Sequence, residues 1–198
     1  MPGGLTLPFI VDSLLMEIEQ LPLAGALLLA PRVFGDERGF FEETYSLDRY
    51  RSCGIEDAFV QDNLSLSHRG VLRGLHGALR MAKLINVVRG SAFDVIVDLR
   101  IESPTYLRWF GRTLSAAEGK QVYVPRGFLH GFLALEDETL VAYKQSAPYD
   151  PAREFAVAWD DPEIGIEWPL RGERPMLSRR DAGNPPLASL VTNGGEPR

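Results

Sequence analysis

The chain is 198 residues long, a length that suits one domain, with or without tails, and that can bury a substantial core. Its 45% hydrophobic and 24% charged residues are ordinary for a globular protein, and a net charge of −6 gives no reason to expect nucleic acid as a partner. Cys53 is the single cysteine, so no internal disulfide can form, which fits a cytoplasmic protein.

Residues 1–15 read as a flexible extension, or as a short helix built on Phe9, Leu14 and Ile18. The apolar run Leu21–Pro31 spans eleven residues, too few to cross a bilayer. No Lys or Arg precedes Arg32, so the basic region of a signal peptide is missing. No membrane partner is expected. Ser46 to Cys53 predicts one short helix, with Ser46 as N-cap and Gly54 just past its end. Phe93, Val95, Val97 and Leu99 alternate with Asp94, Ile96, Asp98 and Arg100, the period of a strand with one face strongly buried. Lys120–Val124, Thr139–Gln145, Phe155–Trp159 and Ile164–Trp168 read as further strands, punctuated by Gly and Pro. Many short strands with frequent turns predict an all-β sandwich or barrel. One domain over 16–187 is expected, with 188–198 as a disordered tail.

Only three histidines occur, His68, His76 and His130. His76 and His130 lie in apolar, Gly-bounded, strand-like segments. Each is either a chemical group or a core histidine satisfied by a backbone carbonyl. His68 reads as a turn residue without a role. A metal centre would need two or three imidazoles plus a carboxylate, usually with two His close in one strand, and His76 has no such neighbour. That leaves His76, His130 and a distant carboxylate as the remaining metal option. Cys53 has no nearby His and no nucleophile elbow occurs, so covalent hydrolysis is not indicated. Metal-free acid–base chemistry asks for a base near neutrality, an acid across the substrate and a stabiliser of negative charge. Histidine, tyrosine and lysine can supply these, and spacing alone does not select them.

Motifs then follow in one order. They are Asp36-Glu37-Arg38-Gly39-Phe40-Phe41-Glu42-Glu43, Gln61-Asp62-Asn63, Gly70-Val71-Leu72-Arg73-Gly74-Leu75-His76 and Phe93 to Arg100. Pro125 to Phe132, Tyr143-Lys144, Ala147 to Pro151, Asp161 to Pro169 and Leu177-Ser178-Arg179-Arg180-Asp181 complete the set. The set resembles the dTDP-4-dehydrorhamnose 3,5-epimerase family across Ala30 to Leu187. The resemblance implies a cupin-type jelly roll without cofactor or metal. It implies a nucleotide-sugar substrate and a homodimer with exchange of an N-terminal strand. By the same resemblance His76 is the general base, Asp181 its carboxylate partner, Tyr149 the acid on the opposite face and Lys83 the residue near the sugar O4. Arg73 and His130 are implied as further pocket residues. Phe34, Arg38, Phe41, Glu43, Gln61 and Asn63 are implied as the nucleotide-binding set, the first four facing the partner's site.

The chemistry agrees with those roles. C3 and C5 of a 4-keto sugar both flank the ketone, so one base can serve both if the ring shifts. Arg38 and Arg73 suit a diphosphate and Phe41 suits stacking on a base. The chain departs from the family pattern at His76-Gly77-Ala78-Leu79-Arg80-Met81-Ala82-Lys83, which lacks an aromatic–Gln pair and is a few residues short. Gly77 is therefore expected to open space and Arg80 to add charge. A different nucleotide (GDP or CDP in place of dTDP), a different keto sugar or single-carbon epimerisation would each fit that departure; a 3,4-ketoisomerase sharing the His base is the competing enzyme reading. A sugar-nucleotide binding module and a metal-dependent cupin are the readings from other classes.

Overall fold

The computed structural model describes residues 16–191. Thirteen strands form in chain order: β1 Met16–Gln20, β2 Leu27–Pro31, β3 Val33–Asp36, β4 Gly39–Glu42, β5 Gln61–Ser67, β6 Leu72–Gly77 and β7 Lys83–Arg89. They continue as β8 Ser91–Asp98, β9 Trp109–Ser115, β10 Gln121–Val124, β11 Phe128–Ala134, β12 Thr139–Gln145 and β13 Phe155–Ala156. The helices among the described residues are short: α1 Leu47–Ser52, a 3₁₀ turn Asp181–Gly183, and α2 Ala188–Val191. None is long and apolar enough to cross a membrane.

The strands build a jelly-roll sandwich. One sheet runs β1-β2-β10-β7-β12-β5, the other β13-β6-β11-β8-β9, and β3-β4 form a separate two-stranded hairpin. Between the sheets lie Ile85, Val87, Ile96, Phe128, Phe132 and Val141. The outer face of the second sheet, with Leu75, Val95, Val97 and Leu129, is covered by Val157, Ile164 and Leu187 of the C-terminal segment. Part of the first sheet's outer face, with Leu27, Leu29, Leu84 and Tyr123, is covered by Tyr50 of α1 and Ile55. Each such side chain contributes roughly 1.5–3 kcal/mol when fully buried.

β8 departs from its sequence reading in an informative way. Only one face was expected to be strongly buried, the one carrying Phe93, Val95 and Val97. Both faces are buried, because β8 is an inner strand with a sheet partner on each side and layers above and below. The face with Asp94, Ile96 and Asp98 turns into the sandwich, since Ile96 joins the central core while Val95 and Val97 join the outer one. The buried carboxylates are paired, Asp94 with His130 and Asp98 with Arg100.

Other expectations need correction. The strand expected over Phe155–Trp159 is reduced to Phe155–Ala156, and Ile164–Trp168 is not a strand at all. Ile164, Ile166 and Trp168 instead lie as irregular chain over the second sheet, and Trp168 Nε1 donates to Trp159 O. Their apolar alternation reflects packing on a sheet rather than pairing within one. The helix at Leu47–Ser52 does follow Ser46, but the Ser46 side chain makes no capping bond. Ile18 lies in β1 and not in a helix. Phe9 and Leu14, and the rest of 1–15, lie outside the described residues, as do 192–198. Of the expected tail, Ala188–Val191 forms one helical turn.

Candidate active site

Alternation decides which side chains meet. Leu75 belongs to the outer cluster, so its neighbour His76 faces inward from β6. Ile85 and Val87 face inward, so Lys83 does too, and Val141 places Tyr143 and Gln145 of β12 on the same side. Phe128 and Phe132 bracket an inward His130, whose cross-strand partner is His76. Five polar side chains from five strands thus converge at one end of the sandwich: His76, Lys83, Asp94, His130 and Tyr143. The strands carrying the two histidines come close because neither Gly74 nor Gly131 carries a side chain. A Cβ on Gly74 would lie 2.7 Å from Gly131 Cα, and Gly74 has φ +119, which disfavours other residues.

The C-terminal segment returns to this end. Leu72 N–H donates to Met176 O at 3.0 Å and Asn184 Nδ2 donates to Gly74 O at 3.3 Å, pinning the segment along β6. The 3₁₀ turn between these anchors sets Asp181 Oδ1 2.6 Å from His76 Nε2. Ser178 Oγ donates to Asp181 Oδ2 at 2.9 Å. Burial pushes the Asp181 carboxyl up, but the hydrogen bond and charge of His76, then Ser178 and Arg180, outweigh it and hold it below its ordinary range. A carboxylate accepts only, so Nε2 carries the proton and Nδ1 keeps the lone pair. His130 Nε2 is likewise held by Asp94 Oδ2 at 2.7 Å, with both residues buried.

Lys83 Nζ donates to His76 O at 3.3 Å. Burial lowers its pKa to about 8, against the charges of Glu154 and Asp94, which pull it back up. Tyr143 is half-buried, and burial raises its pKa further above the ordinary phenol value, helped by Glu154 and Tyr149 and opposed by Arg73. Tyr149 lies on the irregular 146–154 loop. Its backbone N–H donates to Gln61 Oε1 at 2.8 Å, and its hydroxyl contacts Arg180 Nη1 at 3.3 Å and Glu154 Oε2 at 3.4 Å. A cavity of about 830 Å³ opens here, with Ala78, Arg80, Lys83, Tyr149, Arg153 and Glu154 in its wall.

Gln61 and Asn63 face the interior from edge strand β5, joined by Gln61 Nε2 donating to Asn63 Oδ1 at 2.8 Å. Asn63 Nδ2 and Gln145 Oε1 are buried without a partner. Arg73 reaches across to β5, donating to Ser67 Oγ at 3.0 Å and Leu66 O at 2.9 Å. Phe34, Phe41 and Glu43 do not join the cavity walled by Lys83 and Tyr149 of their own chain. They line a separate groove of about 200 Å³ with Arg32 and Arg49. Arg38 is exposed and paired with Asp36. His68 is exposed in a turn after β5 and has no place in the site. Gly77 does not open the pocket as its lack of side chain suggested. A Cβ there would meet Phe128 O at 2.5 Å and the Phe155 ring at 2.8 Å, so that side is already full.

Sequence reasoning missed Asp94, Tyr143, Glu154 and Arg180. The signals were present: Asp94 interrupts an apolar strand, Tyr143 sits in a quoted motif, and Arg180 precedes Asp181. Among the described residues no three His, Cys, Asp or Glu side chains converge as metal ligands.

Residues 20–189 match the family model described as dTDP-4-dehydrorhamnose 3,5-epimerase. The chain is 46% identical over 168 residues to the dTDP-4-dehydrorhamnose 3,5-epimerase of Methanothermobacter thermautotrophicus, covering 83% of this chain and 91% of that one. Its fold is similar to that of the Legionella pneumophila dTDP-6-deoxy-D-glucose-3,5-epimerase RmlC solved with dTDP-4-keto-L-rhamnose. The TM-score is 0.86 at 42% identity, over 92% of this chain and 98% of that one. It is also similar to ChmJ, a 3'-monoepimerase from Streptomyces bikiniensis solved with dTDP-quinovose. There the TM-score is 0.78 at 37% identity, over 85% of this chain and 86% of that one.

Proposed function

The chain belongs to the dTDP-4-dehydrorhamnose 3,5-epimerase family, and from that premise we propose that His76 is its base, Asp181 the base's orienting partner, Lys83 the stabiliser of the enolate and Tyr149 the acid. The protein is an epimerase of a nucleotide-linked 4-keto-6-deoxy sugar, acting on carbons beside the C4 ketone. The observation that carries the residue roles is the His76–Asp181 contact, which leaves Nδ1 of an inward imidazole free as a lone pair.

The steps follow from acidity. A hydrogen on C3 or C5 can leave as a proton only because the carbanion delocalises onto O4. His76 Nδ1 takes it, and Asp181 stabilises the imidazolium that results. The Lys83 ammonium, on a buried side chain, offsets the charge on O4. Tyr149 returns a proton to the other face of the carbon, which inverts it. His130, held by Asp94, and Arg73 bound the pocket. The unpartnered Asn63 Nδ2 and Gln145 Oε1 suit polar groups of a bound nucleotide sugar.

A second reading of the acid has its own observation. Tyr143 is inward and half-buried, and its raised pKa keeps it protonated. Tyr149 is more exposed.

The substrate is proposed to be dTDP-linked, as in the relatives, and the protein to be cytoplasmic and homodimeric. Phe40 is 74% and Phe41 69% exposed on the β3–β4 hairpin, and Leu64, Leu66 and Val88 are exposed on the first sheet's outer face. Such surfaces suit a second copy. In that assembly Phe34, Arg38, Phe41 and Glu43 would serve the partner's nucleotide site. Incubation with dTDP-4-keto-6-deoxyglucose in deuterated water tests the function. Deuterium at both C3 and C5 of an inverted product is the expected result, and label at one carbon identifies a single-carbon enzyme. A shifted carbonyl identifies a ketoisomerase, and no label with dTDP-, GDP- or CDP-linked sugars removes the proposal.

A further inference from the structure

We propose that Ser178 is a positioning residue for the base: its hydroxyl fixes the rotation of the Asp181 carboxylate, and through it which ring nitrogen of His76 is bare. The proposal rests on His76 being the base and Asp181 its partner. The last torsion of an aspartate side chain is soft, so a carboxylate bonded through one oxygen alone can turn. Asp181 is held at both. Its Oδ1 lies 2.6 Å from His76 Nε2, and its Oδ2 accepts from Ser178 Oγ at 2.9 Å. Ser178 Oγ in turn accepts from the Asp181 backbone N–H at 3.0 Å, so its lone pair is engaged and its proton is directed at Oδ2. Ser178 O accepts from Ala182 N–H at 3.0 Å, which ties the serine to the turn that carries Asp181.

The chemistry gives the contact a use. Burial pushes the Asp181 carboxyl up, and the bonds from His76 and Ser178 bring it back down. A protonated carboxyl would donate to Nε2 and leave the imidazole proton on Nδ1. That tautomer presents an N–H to the sugar carbon and cannot take a proton from it. A hydroxyl donating to Oδ2 favours the charged, acceptor-only carboxylate, and with it the tautomer whose Nδ1 is bare. When His76 acts, the C–H bond breaks, the Nδ1–H bond forms and the electron pair passes to O4. The imidazolium then stands against a carboxylate already turned toward it, with no rearrangement at that moment. Asp94, which holds His130, has no hydroxyl partner among the described residues. The extra bond thus accompanies the histidine assigned as base. Ser178 is not in the wall of the cavity, so its removal acts on the base and not on a substrate contact.

The test reads the tautomer as well as the rate. Ser178 is exposed, so Ser178→Ala removes no buried packing. Label uptake from deuterated water should fall by about tenfold, the worth of one hydrogen bond to a charged group, with KM unchanged. The ¹⁵N ring signals of His76, assigned by their loss in His76→Gln, should show Nε2 protonated and Nδ1 bare in the parent. In Ser178→Ala they should move toward the opposite tautomer. Ser178→Thr keeps the hydroxyl and should restore both rate and signals. In an Asp181→Asn background, Ser178→Ala should add little further loss, because the two act as a unit. Parent-like uptake by Ser178→Ala, in a protein that Asp181→Asn impairs, would overturn the proposal. So would reduced uptake with an unchanged His76 signature, since the serine would then only brace the turn. Parent-like uptake by Asp181→Asn would instead remove the His76–Asp181 pair from the mechanism, and the proposal with it.

Discussion

Nε2 of His76 lies 2.6 Å from Oδ1 of Asp181, across 105 positions of sequence. The bond is charge-assisted and partly buried, so it fixes both the tautomer and the tilt of the imidazole. His76→Ala should lower label incorporation from deuterated water by about a hundredfold to ten-thousandfold, the range of a lost general base. Asp181→Asn should also lower it, because an amide favours the other tautomer. Wild-type incorporation in either variant would remove the pair from the mechanism.

Lys83 predicts an alkaline limb. Its ammonium titrates at about 8, so enolate stabilisation, and with it turnover, should decline as pH rises through that value. Lys83→Arg stays charged and should shift or abolish the limb even if its rate is lower. Stability moves in the opposite sense. The folded value of about 8 is below the ordinary 10.5, so the unfolded chain binds more protons between those values. Folding stability therefore gains with pH across that window. Rate profiles and melting curves over pH 7–10 check both trends.

The two tyrosines can be told apart. Under the leading assignment Tyr149→Phe should block inversion while leaving exchange, and Tyr143→Phe should chiefly weaken binding. The reverse pattern would hand the acid role to Tyr143. Measuring exchange, inversion and KM for each variant decides it.

Gly77→Ala should destabilise the fold by about 1–3 kcal/mol, the range for overpacking, because the added methyl meets Phe128 O and the Phe155 ring. His76 is the preceding residue, so activity should fall as well. A variant as stable as the parent would show that β13 can move aside.

Asp98 is fully buried and accepts from Arg100, Ser103 Oγ and Thr105 Oγ1. Burial pushes its carboxyl up, but these bonds outweigh it and leave it below the usual 3.8. Its contribution is present above that pH and is lost as pH falls through the folded value. Asp98→Ala, which strips the partner from a partly buried Arg100, should cost about 3–5 kcal/mol in chemical denaturation.

The sequence by itself determined the fold class and most of the chemistry. Strand periodicity and Gly and Pro punctuation are local properties, so β12 was legible to the residue and β10 to within one, while β8 runs two residues earlier than its alternation suggested. The scarcity of histidine and the motif order pointed to His76, Lys83, Tyr149 and Asp181. What only the tertiary structure decided was sidedness and meeting. A period of two says that Asp94 and Val95 point to opposite faces; it does not say which face another segment will cover. Residues 157–190 cover Val95 and Val97, and that turns Asp94 inward to His130. The alternation of Ile164–Trp168 could not reveal that the segment lies on a sheet instead of joining one. Nor could the missing side chain of Gly77 reveal that Phe155 already fills its place. The His76–Asp181 contact has the same origin: two residues far apart in the chain meet because Met176 and Asn184 pin the C-terminal segment along β6, and no local pattern encodes that return.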